Sequence, residues 1–199
     1  MAYSDFTAKQ LIDRFNVRFT ADSILGKVQP IEPSDWLKTT IKIGQKVGFS
    51  SEKSRSERLV SPVLLELSQR NNNVFTVYSG ELLNADDKNG LNGECDFMLS
   101  FSKIIEFVTA PIFCITEAKK QNIEQGIIQC AAQLIGAKKF NENEDKSLKT
   151  IYGCSTTGIE WSFLKLENDV ITIDRQRFYI TNLPSLLGAL QYIIDTSEK

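Results

Sequence analysis

A chain of 199 residues with 42% hydrophobic content can bury one good core, and it favours a single layered domain. Its net charge of −2 and pI of about 5.4 provide no bulk attraction to a polyanion or an anionic membrane, so such a partner has to be met by a local patch. Histidine is absent, which excludes Ser-His and Cys-His nucleophiles, His-ligated zinc and imidazole acid–base chemistry, and leaves carboxylates, lysines and a hard metal ion.

The first residues, Met1-Ala2-Tyr3-Ser4-Asp5, carry no basic segment followed by an apolar core. No apolar run approaches the roughly 20 residues that span a bilayer, so a soluble cytoplasmic protein without a membrane partner is expected. Cys95, Cys114, Cys130 and Cys154 lack CxxC spacing, and three of them sit in apolar runs, which reads as buried free thiols.

In chain order, Thr7 and Gln10 are spaced as a capping box and Phe6 and Leu11 as a hydrophobic staple, predicting a short helix to about Phe15. Pro30 and Pro33 break the chain, Ser34 or Asp35 can cap, and Leu37, Ile41 and Val47 suggest a second helix. Residues 1–50 carry no chemical motif and are expected as a helical elaboration packed on a core domain of residues 51–199. The polar stretch Ser50 to Glu57 reads as a loop into a helix over Arg58 to Arg70, with Pro62 as a kink or the true start. At 100° per residue Glu57 falls roughly 70° from the centre of the stripe made by Val60, Val63, Leu64 and Leu67, and Glu66 about 110° away, so Glu57 is expected to look inward.

Val74 to Leu83 and Glu94 to Phe101 read as a hairpin around a loop with two Asn-Gly steps. A calcium loop there is argued against, because aligning Gly90 with the loop glycine puts Ala85 at the first ligand position. Strict alternation sets Cys95, Phe97, Leu99 and Phe101 on one face and Asp96, Met98 and Ser100 on the other. Next comes Ile112 to Ile115, a strand buried on both faces that ends in Glu117 and Lys119 on one side. Asn122 to Phe140 is a helix carrying Gln125, Gln129 and Gln133 along one stripe. Ile151 to Ser155 is a short strand, Trp161 to Leu166 and Val170 to Asp174 a hairpin, Arg177 to Ile180 an edge strand, and Pro184 opens a closing amphipathic helix. The order points to an α/β domain with a mixed central sheet flanked by helices.

Asp96, Glu117 and Lys119 are the residues that ask for a chemical reason. If their strands are neighbours, two carboxylates meet, and a hard divalent ion relieves the repulsion between them. Such an ion polarises a phosphoryl oxygen and lowers the pKa of a bound water, while a lysine on the same face orients that water and offsets developing charge. That division of labour belongs to a metal-dependent phosphodiesterase.

At Gly93-Glu94-Cys95-Asp96-Phe97 and Ile115-Thr116-Glu117-Ala118-Lys119 the sequence resembles the PD-(D/E)XK nuclease superfamily, most of all the branch of the N-terminal nuclease domain of type I restriction enzyme motor subunits. Further residues fit that branch: Glu57 to Pro62-Val63-Leu64, then Gln129, then Tyr152-Gly153 through Thr157-Gly158 to Trp161. The likeness spans about Ser56 to Leu166, and Cys95 stands where the family has proline. It implies a restriction-endonuclease-like α-β-β-β-α-β core and a Mg²⁺ ion, replaceable by Mn²⁺, held by Asp96 and Glu117 with the Ala118 carbonyl. It also implies Lys119 as the catalytic amine, Glu57 as a ligand through water or to a second ion, and Gln129 as the residue that positions Lys119 or a phosphate, with Gln133 competing. DNA is the implied substrate, RNA the second choice, and a homodimer or a larger restriction or defence complex the implied assembly. The alternative is a partner-dependent nucleic-acid-binding or regulatory module with the same fold. Lys53, Arg55, Arg58, Lys120, Lys138 and Lys139 are candidates to rim the site and meet phosphates. Trp161 and Phe163 are expected in the core.

Overall fold

The computed structural model describes residues 2–119 and 121–197. Helix α1 (Ala8–Phe15) starts at the expected box: Thr7 N–H donates to Gln10 Oε1 at 2.8 Å, and Gln10 N–H to Thr7 Oγ1 at 3.3 Å. A strand not legible in the sequence follows, β1 (Arg18–Asp22), so the first 50 residues are not purely helical. Helix α2 (Asp35–Val47) is capped by Ser34, whose hydroxyl accepts from Leu37 N–H at 3.1 Å. Leu37 and Ile41 are buried as expected, whereas Val47 is 64% exposed.

The stretch 50–57 is not a loop. Ser51 caps helix α3 (Glu52–Arg55), which runs through a π-helical stretch (Ser56–Val60) into helix α4 (Ser61–Arg70). Pro62 falls just after the π stretch, where the hydrogen-bond ladder is already widened, so the proline ends nothing. The π stretch also shifts the helical phase between Glu57 and the later stripe. Glu57 is consequently exposed and Glu66 is the buried acid, the reverse of the expectation from an unbroken 100° wheel.

The centre of the chain supplies β2 (Thr76–Leu82), β3 (Glu94–Ser100), β4 (Ile112–Ala118), helix α5 (Ile123–Asn143) and β5 (Thr150–Thr156). β2, β3 and β4 pair antiparallel, and α5 returns the chain so that β5 lies parallel to β4. The order from α4 to β5 is therefore helix, three antiparallel strands, helix, parallel strand. β6 (Glu160–Glu167) and β7 (Val170–Tyr179) extend the sheet antiparallel, turning at Asn168-Asp169, both with positive φ. Residues 177–179 are not a separate strand but continue β7, pairing with β6; β1 covers only residues 170–174 of that strand, so 177–179 lie at the sheet edge among the described residues. The mixed seven-stranded sheet has the order β1-β7-β6-β5-β4-β3-β2.

Helices α2, α4 and α6 (Leu183–Ser197) cover one face of this sheet, and α5 with the N-terminal segment covers the other. β4 is buried at every position, as a strand covered on both faces must be. Pairing of Leu99 with Cys114 and of Ser100 with Ile112 leaves Phe113 as an extra residue, a bulge that puts Ile112 and Ile115 on the same α5 side. Cys95 joins Met98 in the α5-side core instead of alternating with Phe97. Asn141 of α5 clamps the start of β4, accepting from Ile112 N–H and donating to its carbonyl, both at 2.8 Å. All four cysteines are buried and free, and Trp161 and Phe163 are core residues. Among the described residues no helix is long and apolar enough to cross a membrane.

Candidate active site

The strands β3 and β4 pair as far as Phe97 opposite Thr116 and then part. Asp96 sits in the fork, and its Oδ2 accepts from Ala118 N–H at 2.7 Å, taking the place of a main-chain ladder bond. This side-chain substitution turns Asp96 out of the ordinary alternation. β4 meanwhile stays paired with β5 up to Ala118, and Lys119 N–H continues the contact to Thr156 carbonyl at 2.7 Å.

Glu117 follows Ile115 on the α5 side and is only 2% exposed. Its Oε1 lies 2.8 Å from Lys119 Nζ, and its Oε2 accepts from Gln133 Nε2 at 2.7 Å. Helix α5 reaches this point because Gly126 has no side chain: a Cβ there would stand 2.2 Å from Ser155 Oγ and 2.9 Å from Lys119 Cγ. The Ser155 hydroxyl uses that closeness, donating to Ile123 carbonyl at 3.0 Å and fixing the first turn of α5 over the end of β5.

Burial pushes the Asp96 carboxyl up from its ordinary value; Ala118 N–H and Lys119 oppose the shift, and Glu52 and Glu94 add to it. Glu117 is pushed up to about 7, by burial first and the charge of Asp96 second, against the opposing pull of Lys119 and Gln133. Burial draws Lys119 down, but the surrounding carboxylates, Glu117 foremost, more than offset it and leave the amine above its ordinary value. Two acids and an amine thus share one desolvated corner.

Asp96 opens onto a cleft of about 570 Å³ whose wall also carries Glu52, Glu57, Glu94 and Lys53, with the small residues Ser56, Ser61, Ser79 and Gly80. Of the residues expected at the site, Asp96, Glu117 and Lys119 come together and Glu57 stands on the cleft wall, exposed. Gln129 is half-buried one turn away, and the glutamine that touches Glu117 is Gln133, fully buried, with its Oε1 left without a partner among the described residues.

Glu52 is a site residue that sequence reasoning missed, lining the cleft and acting by charge on both Asp96 and Lys119. The available signal was Ser51 as a helix cap with an acid at the next position. Several expected rim cations are engaged elsewhere. Arg55 donates to Thr157 carbonyl at 3.1 Å and lies 4.7 Å over the Phe49 ring, and Arg58 donates to Gly48 carbonyl. Lys138 and Lys139 line a different hollow with Arg14, Asp86 and Asp169. Lys53 is on the cleft wall, and Lys120 lies outside the described residues.

No group of three or more Asp, Glu, Cys or His side chains is gathered as a ready metal cage among the described residues. A Mg²⁺ ion does not need one, since it binds through one or two carboxylates and keeps water and phosphate oxygens for the rest of its shell. Two adjacent carboxylates, both driven towards protonation by burial, are a donor set that fits such an ion. Compared with known proteins, the chain matches no family model, no curated protein and no solved structure.

Proposed function

We propose that this protein is a Mg²⁺-dependent nuclease of the PD-(D/E)XK kind that hydrolyses phosphodiester bonds of DNA. The observation that carries this reading is the meeting of Asp96, Glu117 and Lys119 at the fork between β3 and β4, beside an open cleft. The run of helix α4, antiparallel β2-β3-β4, helix α5 and parallel β5 supports the same reading.

Asp96 and Glu117 would hold the ion. When bound, it supplies charge stabilisation at the phosphoryl oxygens and a water of lowered pKa. Lys119 would orient the attacking water and offset the negative charge that develops at phosphorus. Gln133 fixes the Glu117 carboxylate through Oε2, and Gly126 lets α5 press the aliphatic stem of Lys119 into place. The sheet thereby holds the reacting groups on rigid strands.

A specific observation favours a second, partner-dependent reading. Among the described residues the cleft wall sets four acids, Glu52, Glu57, Glu94 and Asp96, against Lys53, so a polyanion gains little attraction from them. Delivery of DNA by a basic partner surface would supply the missing charge. The test is cleavage of single-stranded, duplex and branched DNA by pure protein. Mg²⁺-dependent cutting that disappears in Lys119→Ala supports the nuclease reading, and no cutting of any substrate, with or without co-purified partners, overturns it.

A further inference from the structure

Both oxygens of Glu117 are taken within the chain, one by Lys119 Nζ at 2.8 Å and the other by Gln133 Nε2 at 2.7 Å. Asp96 has one oxygen committed to Ala118 N–H at 2.7 Å. Among the described residues the cation in contact with this acid pair is Lys119, whose side chain is 16% exposed and packed where Gly126 admits it. An ion on Glu117 Oε1 therefore has to compete with the ammonium for that oxygen.

We infer that Lys119 is a placeholder cation, holding the metal seat on Glu117 until a divalent ion exchanges with it and frees the amine into the cleft. This rests on the metal-dependent reading above. The exchange balances in charge: the Glu117–Lys119 pair becomes a carboxylate–metal pair and a freed ammonium beside the acidic cleft wall. The arrangement keeps a buried carboxylate from standing uncompensated in the metal-free chain, and it frees the amine for work only when the ion is present. It also lowers metal affinity, because the ion competes with an ion pair at 2.8 Å.

The experiment is Mn²⁺ binding by calorimetry and electron spin resonance on the full chain at pH 8.5, where protons do not replace the lysine on Glu117. Lys119→Met is expected to bind Mn²⁺ roughly tenfold tighter than the natural protein, whereas Lys119→Arg, which keeps the charge, stays within about threefold. Unchanged or weaker binding in Lys119→Met, with binding still abolished by Glu117→Gln, overturns the placeholder and leaves the metal site standing. Mn²⁺ binding that is absent, or indifferent to Glu117→Gln, overturns the metal reading and this inference with it.

A measurement on the natural protein stands independently of how the variants fold. Amine-selective labelling read by mass spectrometry is expected to be slow at Lys119 without metal, where the amine is 16% exposed and held at 2.8 Å on Glu117, and several-fold faster with Mg²⁺, which releases it from that pair. Labelling that slows or does not change, while Mg²⁺ raises the melting temperature, contradicts the exchange.

Discussion

Among the described residues Glu66 and Glu117 are the two glutamates buried almost completely, at 1% and 2% exposure, and their surroundings drive them in opposite directions. Glu66 lies on α4 and receives Ser34 N–H at 2.9 Å, the Ser34 hydroxyl at 2.6 Å, and Arg70 Nε and Nη2 at 2.8 and 2.7 Å. Burial pushes its carboxyl up, but the Ser34 and Arg70 bonds outweigh it and hold Glu66 below the usual range. Glu117 has a cation and an amide of its own, yet Asp96 beside it adds to the effect of burial and the carboxyl rises to about 7. The first acid is a latch that ties the start of α2 to α4; the second has both oxygens paired and is still pushed up by burial and by Asp96, a repulsion that a divalent ion would relieve.

The largest difference between the two regions should appear in rate. Lys119→Ala is expected to lower Mg²⁺-dependent cleavage about 10²- to 10⁴-fold in single-turnover assays while the protein remains folded. Glu66→Ala should do the reverse: cleavage per folded molecule unchanged, and unfolding in urea easier by about 3 kcal/mol, because Ser34 N–H and Arg70 lose their acceptor. Equal loss of rate in both variants would erase the distinction.

Opposite signs are expected in the pH dependence of metal-free stability. The folded pKa of Glu117 is raised to about 7 from an ordinary 4.5, so its contribution is present below pH 4.5 and is lost as pH rises through 7, a change of about 3 kcal/mol. Glu66 is lowered in the folded state, so its contribution is present above pH 4.5 and is lost as pH falls through its folded value. Urea midpoints of Glu117→Gln and Glu66→Gln from roughly pH 2.5 to 8.5, a range that reaches below the ordinary carboxylate value, should lose these two opposing slopes separately. Saturating Mg²⁺ should cancel the first and leave the second.

A smaller effect is expected where α5 meets the site. Gly126→Ala places a Cβ 2.2 Å from Ser155 Oγ and 2.9 Å from Lys119 Cγ, so stability should fall by about 1–3 kcal/mol in urea, and cleavage should fall as well. The smallest expected effect distinguishes the two glutamines. Gln129→Ala should change stability by no more than about 0.5 kcal/mol in the same titration, whereas Gln133→Leu should reduce cleavage because Glu117 loses its only amide donor among the described residues.

The residues that proved legible in the sequence are those whose position is set locally. Thr7 and Gln10 form their box within one helical turn, and Ile112 to Ile115 can be read as a strand covered on both faces because no polar residue interrupts it. The meeting of Asp96, Glu117 and Lys119 is expected on the condition that their strands are neighbours, and β3 and β4 do pair. What stayed hidden depends on partners distant in the chain. β1 is a polar, mostly exposed edge strand, and only its pairing with β7, some 150 residues later in sequence, makes it a strand. Glu66 is buried by Ser34, in a segment with no regular spacing to α4. Glu52 was lost because a polar stretch before Pro62 resembles a loop until the π-helical stretch accommodates the proline. The choice between Gln129 and Gln133 is a choice between successive turns on one face, and only the depth of Glu117 decides it.

The most direct test of the metal seat is an anomalous difference map from crystals grown with Mn²⁺. One peak shared by the carboxylates of Asp96 and Glu117, with Lys119 Nζ moved off Glu117 Oε1, is the expected result. Crystals saturated with Mn²⁺ that show no peak between these two acids, and keep the Lys119–Glu117 pair at 2.8 Å, would contradict it.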